Sequence, residues 1–152
     1  MVKIKFKLLF FDKPAVMRAV SEASRKILSK FGAFVRTSAK SSIRQSKSAS
    51  KPGEPPHSHS GLLKRFIFFG YDTAQASVVV GGERLTGRNK GEAPSILEHG
   101  GTANLMVLSK SERKRYPKGK KIHILPRPYM NPALEKNIDL LPAMWRDSVK
   151  PA

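Results

Sequence analysis

The chain has 152 residues and no cysteine, so disulfides, thiolate metal sites and cysteine catalysis are excluded. Lys and Arg number 29 against 11 acids, a net charge of +18. Such a chain repels itself unless polyanions or acidic partners surround it, and nucleic acid or an acidic protein surface is the expected neighbour. One domain spanning residues 1–152 is expected. No run of about 18 apolar residues occurs, so no transmembrane helix and no membrane partner is expected.

At the N-terminus Ile4, Phe6, Leu8 and Phe10 alternate with Lys3, Lys5 and Lys7. Period two describes a half-buried strand rather than a signal peptide. Asp12 is a candidate cap, with Pro14 in the first turn of a long amphipathic helix over about Lys13 to Arg44. Its apolar stripe runs Val16, Val20, Ala23, Ile27, Phe31, Phe34 or Val35, Ala39 and Ile43. Arg18, Arg25, Lys26, Lys30, Arg36, Lys40 and Arg44 occupy the other faces. About 30 helical residues span roughly 45 Å. The C-terminal half is therefore expected to reach beyond the core, toward a neighbouring subunit.

A loop with stiff extended pieces follows over about 46–60, "SKSASKPGEPPHSHS". His57 and His59 could ligate a metal, but alternate side chains of an extended segment diverge, and the simpler reading is two exposed histidines. "RFIFFGYD" (Arg65 to Asp72) and "ASVVVGG" (Ala76 to Gly82) read as strands joined by a hairpin-sized link. A polar glycine-bearing loop over about 82–93 leads to a short helix at Ser95 to His99, ending at Gly100. "NLMVL" (104–108) is a candidate strand and "KIHIL" (121–125) its return. Between them lies a basic tip, with Lys110, Arg113, Lys114, Arg115, Lys118, Lys120 and Lys121 suited to neutralising phosphates without reading bases. In the closing segment Asn131 is the candidate cap and Pro132 the first helical residue. Leu134, Ile138, Leu141 and Trp145 form the expected apolar stripe, and Pro142 should kink or end the helix. The expected fold is α+β, with a long N-terminal amphipathic helix and a C-terminal helix packed on a small, mostly antiparallel sheet with extended loops and hairpins.

The acids are scattered, no G-x-S-x-G elbow or P-loop occurs, and catalytic residues, metal and cofactor are all expected to be none. A sequence-independent nucleic-acid-binding protein is one reading of the charge. A nuclease or metalloenzyme using the histidines is a weaker one.

Three landmarks carry more information in combination: "KPGEPPHSHSGLLKRFIF" (Lys51 to Phe68), "ILEHGGT" (Ile96 to Thr102) and "RPYMNPALEK" (Arg127 to Lys136). Their order and spacing, over about Ala15 to Asn137, resemble the neck and tail-completion proteins of long-tailed bacteriophages. Relatives of that family show a long basic helix, a P-G-x-P-P loop, a glycine-bearing segment and an R-P motif opening the last helix. The resemblance implies a structural virion protein rather than an enzyme. It implies a cyclic homo-oligomer, a hexamer with a dodecamer as alternative, at the neck or top of the tail and assembled in the host cytoplasm. The implied partners are the tail tube protein, a head-completion or stopper protein near the portal, and genomic DNA held non-specifically. On this reading Pro52, Gly53, Pro55, Pro56, Gly61 and Leu62 form a connector that lies against a neighbouring subunit. The basic tip faces the DNA channel or an acidic partner. Glu98, Gly100, Arg127, Pro128, Tyr129 and Pro132 are structural, with Tyr129 a packing residue more than an interface one.

Overall fold

The computed structural model describes residues 12–82, 93–105, 110, 120–146 and 148. The expected strand at Ile4–Phe10, the loop at 83–92 and the basic-tip residues Arg113, Lys114, Arg115 and Lys118 lie outside them. The fold is α+β.

Helix α1 covers Lys13–Ser42. The Asp12 carboxylate accepts from the Ala15 N–H at 3.1 Å, so the acid in front of the apolar stripe is the cap, and Pro14 occupies a position that needs no donor. The helix ends two residues earlier than expected, where Ile43 turns extended and buries its side chain. The expectation for its two ends is reversed. Phe31, Val35, Ala39 and Ile43, in the C-terminal half, form the core with Ile67, Tyr129 and Ala133. Val16, Met17, Val20 and, further along, Phe34 remain exposed, so it is the N-terminal end that extends past the packed body.

After α1 the chain does not run free. Arg44–Gln45 (β1) pairs in parallel with His57–Ser58 (β2), closing the proline-rich loop into a tucked excursion. Gly61, at φ 75°, starts the single turn α2 (Leu62–Arg65), which takes the first residue of the expected strand. The strand itself is β3 (Ile67–Asp72), antiparallel to β4 (Ser77–Gly82) in register from Ile67↔Gly82 to Asp72↔Ser77. Asp72 Oδ1 accepts from the Ala74 and Gln75 N–H groups and so organises the four-residue turn. One face of the hairpin lies on α1, where Ile67 is buried and the Arg36 Nε–H donates to the Ile67 carbonyl at 2.9 Å.

Helix α3 (Ala93–His99) begins two residues before the expected Ser95 and stops at Gly100, whose φ of 77° is the left-handed cap the sequence suggests. Strand β5 is Gly101–Leu105, starting three residues before "NLMVL", whose residues 106–108 lie outside the described ones, and it pairs antiparallel with β6 (Lys120–Ile124). The shift follows from Gly100: once the helix is capped there, the chain is already extended at Gly101. Helix α4 covers Met130–Ile138 and α5 covers Leu140–Trp145. Pro142 breaks the pair as its chemistry requires, because it has no N–H for the Ile138 carbonyl and its ring crowds that group.

Two further expectations are corrected in α4. Asn131 is not the cap but the second helical residue, and Pro132 is the third. The buried stripe is Tyr129, Ala133 and Asn137, continued by the partly buried Leu141 and Met144, whereas Leu134 and Ile138 face outward. The reason is polar: Asn137 Nδ2 donates to Ser38 Oγ at 2.8 Å and to the Ala133 carbonyl at 2.7 Å, fixing which side of α4 meets α1.

The closest approach of α1 to the hairpin is at Gly32. A Cβ there would stand 2.6 Å from Val78 Cγ2 and 3.1 Å from Phe69 Cδ2. Alanine is worth about 1 kcal/mol over glycine in a helix, but overpacking costs about 1–3 kcal/mol. Gly32→Ala should therefore lower stability in urea denaturation, and Val78→Ala in the same chain should restore part of the loss.

Candidate assembly surface and the joint that holds it

The three sequence landmarks meet in space. Glu98, in the last turn of α3, projects its carboxylate at the start of α4. Its Oε2 accepts from the Tyr129 N–H at 2.9 Å and the Met130 N–H at 3.0 Å, and its Oε1 from the Asn131 N–H at 2.8 Å. The next residue, Pro132, has no N–H. Every donor that the helix start would leave orphaned is thus satisfied or absent. A negative carboxylate on the positive end of a helix is also favoured by the peptide dipoles.

Around this cap the other landmarks are tied in. The Arg127 N–H donates to the Leu97 carbonyl at 2.6 Å, and its Nε–H to the Ser50 carbonyl at 3.1 Å. The Gly53 N–H donates to the Pro126 carbonyl at 2.9 Å. Gly100 lies so close to the following strand end that a Cβ would sit 3.0 Å from Pro126 Cδ and 3.2 Å from the Ile124 carbonyl oxygen. Residues near positions 50, 98 and 127 therefore form one joint. Pro128 is the half-buried residue leading to Tyr129, which is 1 % exposed and belongs to the core.

The connector residues divide. Pro52 and Gly53 are exposed, Pro55 is half-buried and Pro56 is buried. Gly53, at φ 83°, and Gly61 serve backbone turns, and Leu62 is exposed. Part of this loop holds the chain's own fold, and its outer residues remain available to a neighbour. His57 Nδ1 lies 3.0 Å from the Ser48 carbonyl oxygen. Among the described residues no group of three or more His, Asp or Glu is placed to hold a metal.

Of the basic tip, Lys110, Lys120 and Lys121 are described. Lys110 and Lys121 are exposed and Lys120 is half-buried. The register Leu105↔Lys120 brings the two ends of segment 106–119 side by side, so the cations between them leave the ladder from one place.

Two surface features escaped the sequence reading. Arg36, Lys40 and Lys64 cluster beside the hairpin, with Lys40 Nζ 6.0 Å from the centre of the Phe68 ring. Partial burial, and then the Arg36 and Lys64 cations, hold the Lys40 ammonium below the usual lysine range. The other is the face of β3–β4 turned away from α1, where Phe68 is 45 % and Val79 64 % exposed. The signal was present in "RFIFFGYD" and "SVVVGG", which are apolar at successive positions and so are apolar on both faces of a hairpin.

No family model matches the chain, and no curated protein or solved structure is similar to it.

The joint makes two measurable demands. Glu98→Ala removes three charge-assisted bonds and should destabilise the chain by about 2–4 kcal/mol in urea denaturation, with Glu98→Gln retaining part of the cap. Burial first, and then the Glu98 carboxylate, push the Tyr129 phenol up to about 12. Its value unfolded is about 10. Because the folded value is the higher, Tyr129's contribution is intact below pH 10 and is lost as the pH rises through about 12. Absorbance titration should show a tyrosine ionising near 12, in step with loss of the fold.

Proposed function

We propose that the chain is a structural protein of a bacteriophage virion, forming a ring at the junction of head and tail. It completes the tail tube and joins it to the head-completion proteins around the DNA channel. The observation that carries this reading is the convergence of the three landmarks on one joint. The P-G-E-P-P loop, the E-H-G-G segment and the R-P-Y-M-N-P segment are far apart in sequence and hold one another through Glu98, Arg127 and Gly53. Motifs that share one structural task are expected to occur together, as they do in the family this chain resembles.

Charge supports the same reading. A protein lining a DNA passage needs diffuse attraction, since phosphate contacts hold a duplex without specifying its sequence. The exposed cations of α1, the Arg36–Lys40–Lys64 cluster and the basic tip supply it.

A second reading, a free-standing nucleic-acid-binding protein, rests on those cations alone. Salt dependence tests it: tight binding of the purified chain to duplex DNA, with a steep log–log salt slope, favours it. Weak binding at about 50 mM salt opposes it.

In particles assembled without this protein, filled heads and separate, unjoined tails are expected by electron microscopy. A tagged copy should place density at the top of the tail. Normal particles in its absence, or a tag elsewhere in the virion, would overturn the proposal.

A further inference from the structure

The outward face of β3–β4 carries Phe68, Gly70, Val79 and Gly81, and a shallow groove of about 530 Å³ runs over it to Phe69 and Gly82 of the alternate face. These side chains are apolar on a chain of net +18, and the nearest cation is Lys40, whose Nζ lies 6.0 Å from the centre of the Phe68 ring at one side of the groove. A Cβ added at Gly70 or Gly81 would meet nothing within 4 Å, so the groove floor is backbone that another chain can approach closely. Among the described residues no third strand pairs with either edge of this hairpin. The face is built for an occupant.

The chain contains a segment of matching character. In the sequence Ile4, Phe6, Leu8 and Phe10 alternate with Lys3, Lys5 and Lys7, a period that in an extended chain would put the four apolar residues on one side. The segment joins α1 at Asp12, and the uncovered Val16, Met17 and Val20 continue the apolar character onto the helix.

Length decides whose groove it can fill. The hairpin lies against α1 at Gly32, twenty residues from Asp12, which is roughly 30 Å along the helix. Phe10 is two residues from Asp12 and reaches about 7 Å, and Leu8 about 14 Å. Only Ile4, at about 28 Å, approaches the level of its own hairpin. The four-residue ridge therefore cannot lie on the groove of the same molecule, while a second copy places no such limit.

We propose that residues 4–10 of one copy pack their ridge onto the outward β3–β4 face of a second copy. Each molecule donates an arm and accepts one through different surfaces, a heterologous contact that can close into a ring. The inference deepens the ring reading, from which it takes a second copy as the partner.

Because the chain has no cysteine, cross-linking is clean. Phe6→Cys and Val79→Cys, made in separate full-length chains, are mixed at the highest soluble concentration and oxidised. An interchain disulfide is expected, with none between Phe6→Cys and a control Ser21→Cys on the exposed face of α1. The doubly substituted chain should give a ladder of linked copies, and Val79→Glu should shift the oligomer toward monomer with thermal unfolding unchanged, since Val79 lies outside the core. Absence of the Phe6–Val79 disulfide between chains overturns the proposal. So does an intrachain disulfide in dilute doubly substituted protein. These readouts use the purified chain, whereas the position in the virion is read from particles, so either inference can fail alone.

Discussion

The Glu98 carboxylate is the interaction on which the rest of the fold depends. Helix α4 has no cap of its own: Tyr129 stands at its cap position and offers no side-chain bond, and Asn131 lies inside the helix, where it donates instead to Glu135. The acceptors must come from elsewhere, and one carboxylate supplies three of them. That places α3 against the start of α4, which in turn sets Tyr129 into the core beneath it. Tyr129 packs with Ile67 and Ala39, so the same carboxylate indirectly fixes how the hairpin and α1 meet. In a chain with 11 acids and 29 cations, a carboxylate used in this way is one withheld from screening the surface.

The consequence is a molecule with two kinds of uncompensated surface. Along α1 the cations have few alternatives to solvent: Arg18 and Arg36 donate to backbone carbonyls, and Lys30 and Lys40 lie over Phe34 and Phe68. Beside them is an uncharged hairpin face. Like charge keeps separate copies apart at long range, whereas apolar burial acts only at contact. An anionic neighbour that neutralised the repulsion would therefore favour contact between copies.

What the sequence made legible was local. The Asp12 cap, the left-handed Gly100, the β3–β4 hairpin and the break before Pro142 each follow from residues a few positions apart. The misses were set by partners distant in the chain. Asn131 looked like a cap because Asn before Pro is a common helix start, but the real cap is Glu98, more than thirty residues away. Leu134 and Ile138 looked buried because they are apolar, yet the Asn137–Ser38 bond turns the other side of α4 inward. The three landmarks were recognisable as separate motifs. Their meeting in one joint was not, because it depends on hydrogen bonds to backbone carbonyls at Ser50, Leu97 and Pro126, which no side-chain pattern encodes.

The reversed burial of α1 bears most directly on assembly. Its C-terminal half is locked into the core by Phe31, Val35 and Ala39, while its N-terminal turns project with Val16 and Met17 uncovered. A helix anchored at one end is a rigid lever, and its first turn is held at a fixed direction relative to the core. The hairpin that accepts an arm is packed on the anchored half of the same helix. If the proposed arm is donated, its root at Asp12 and the accepting hairpin are related by one stiff element. In the proposed ring that element would fix the rotation from each copy to the next, and a rotation that closes is what separates a ring from an open filament.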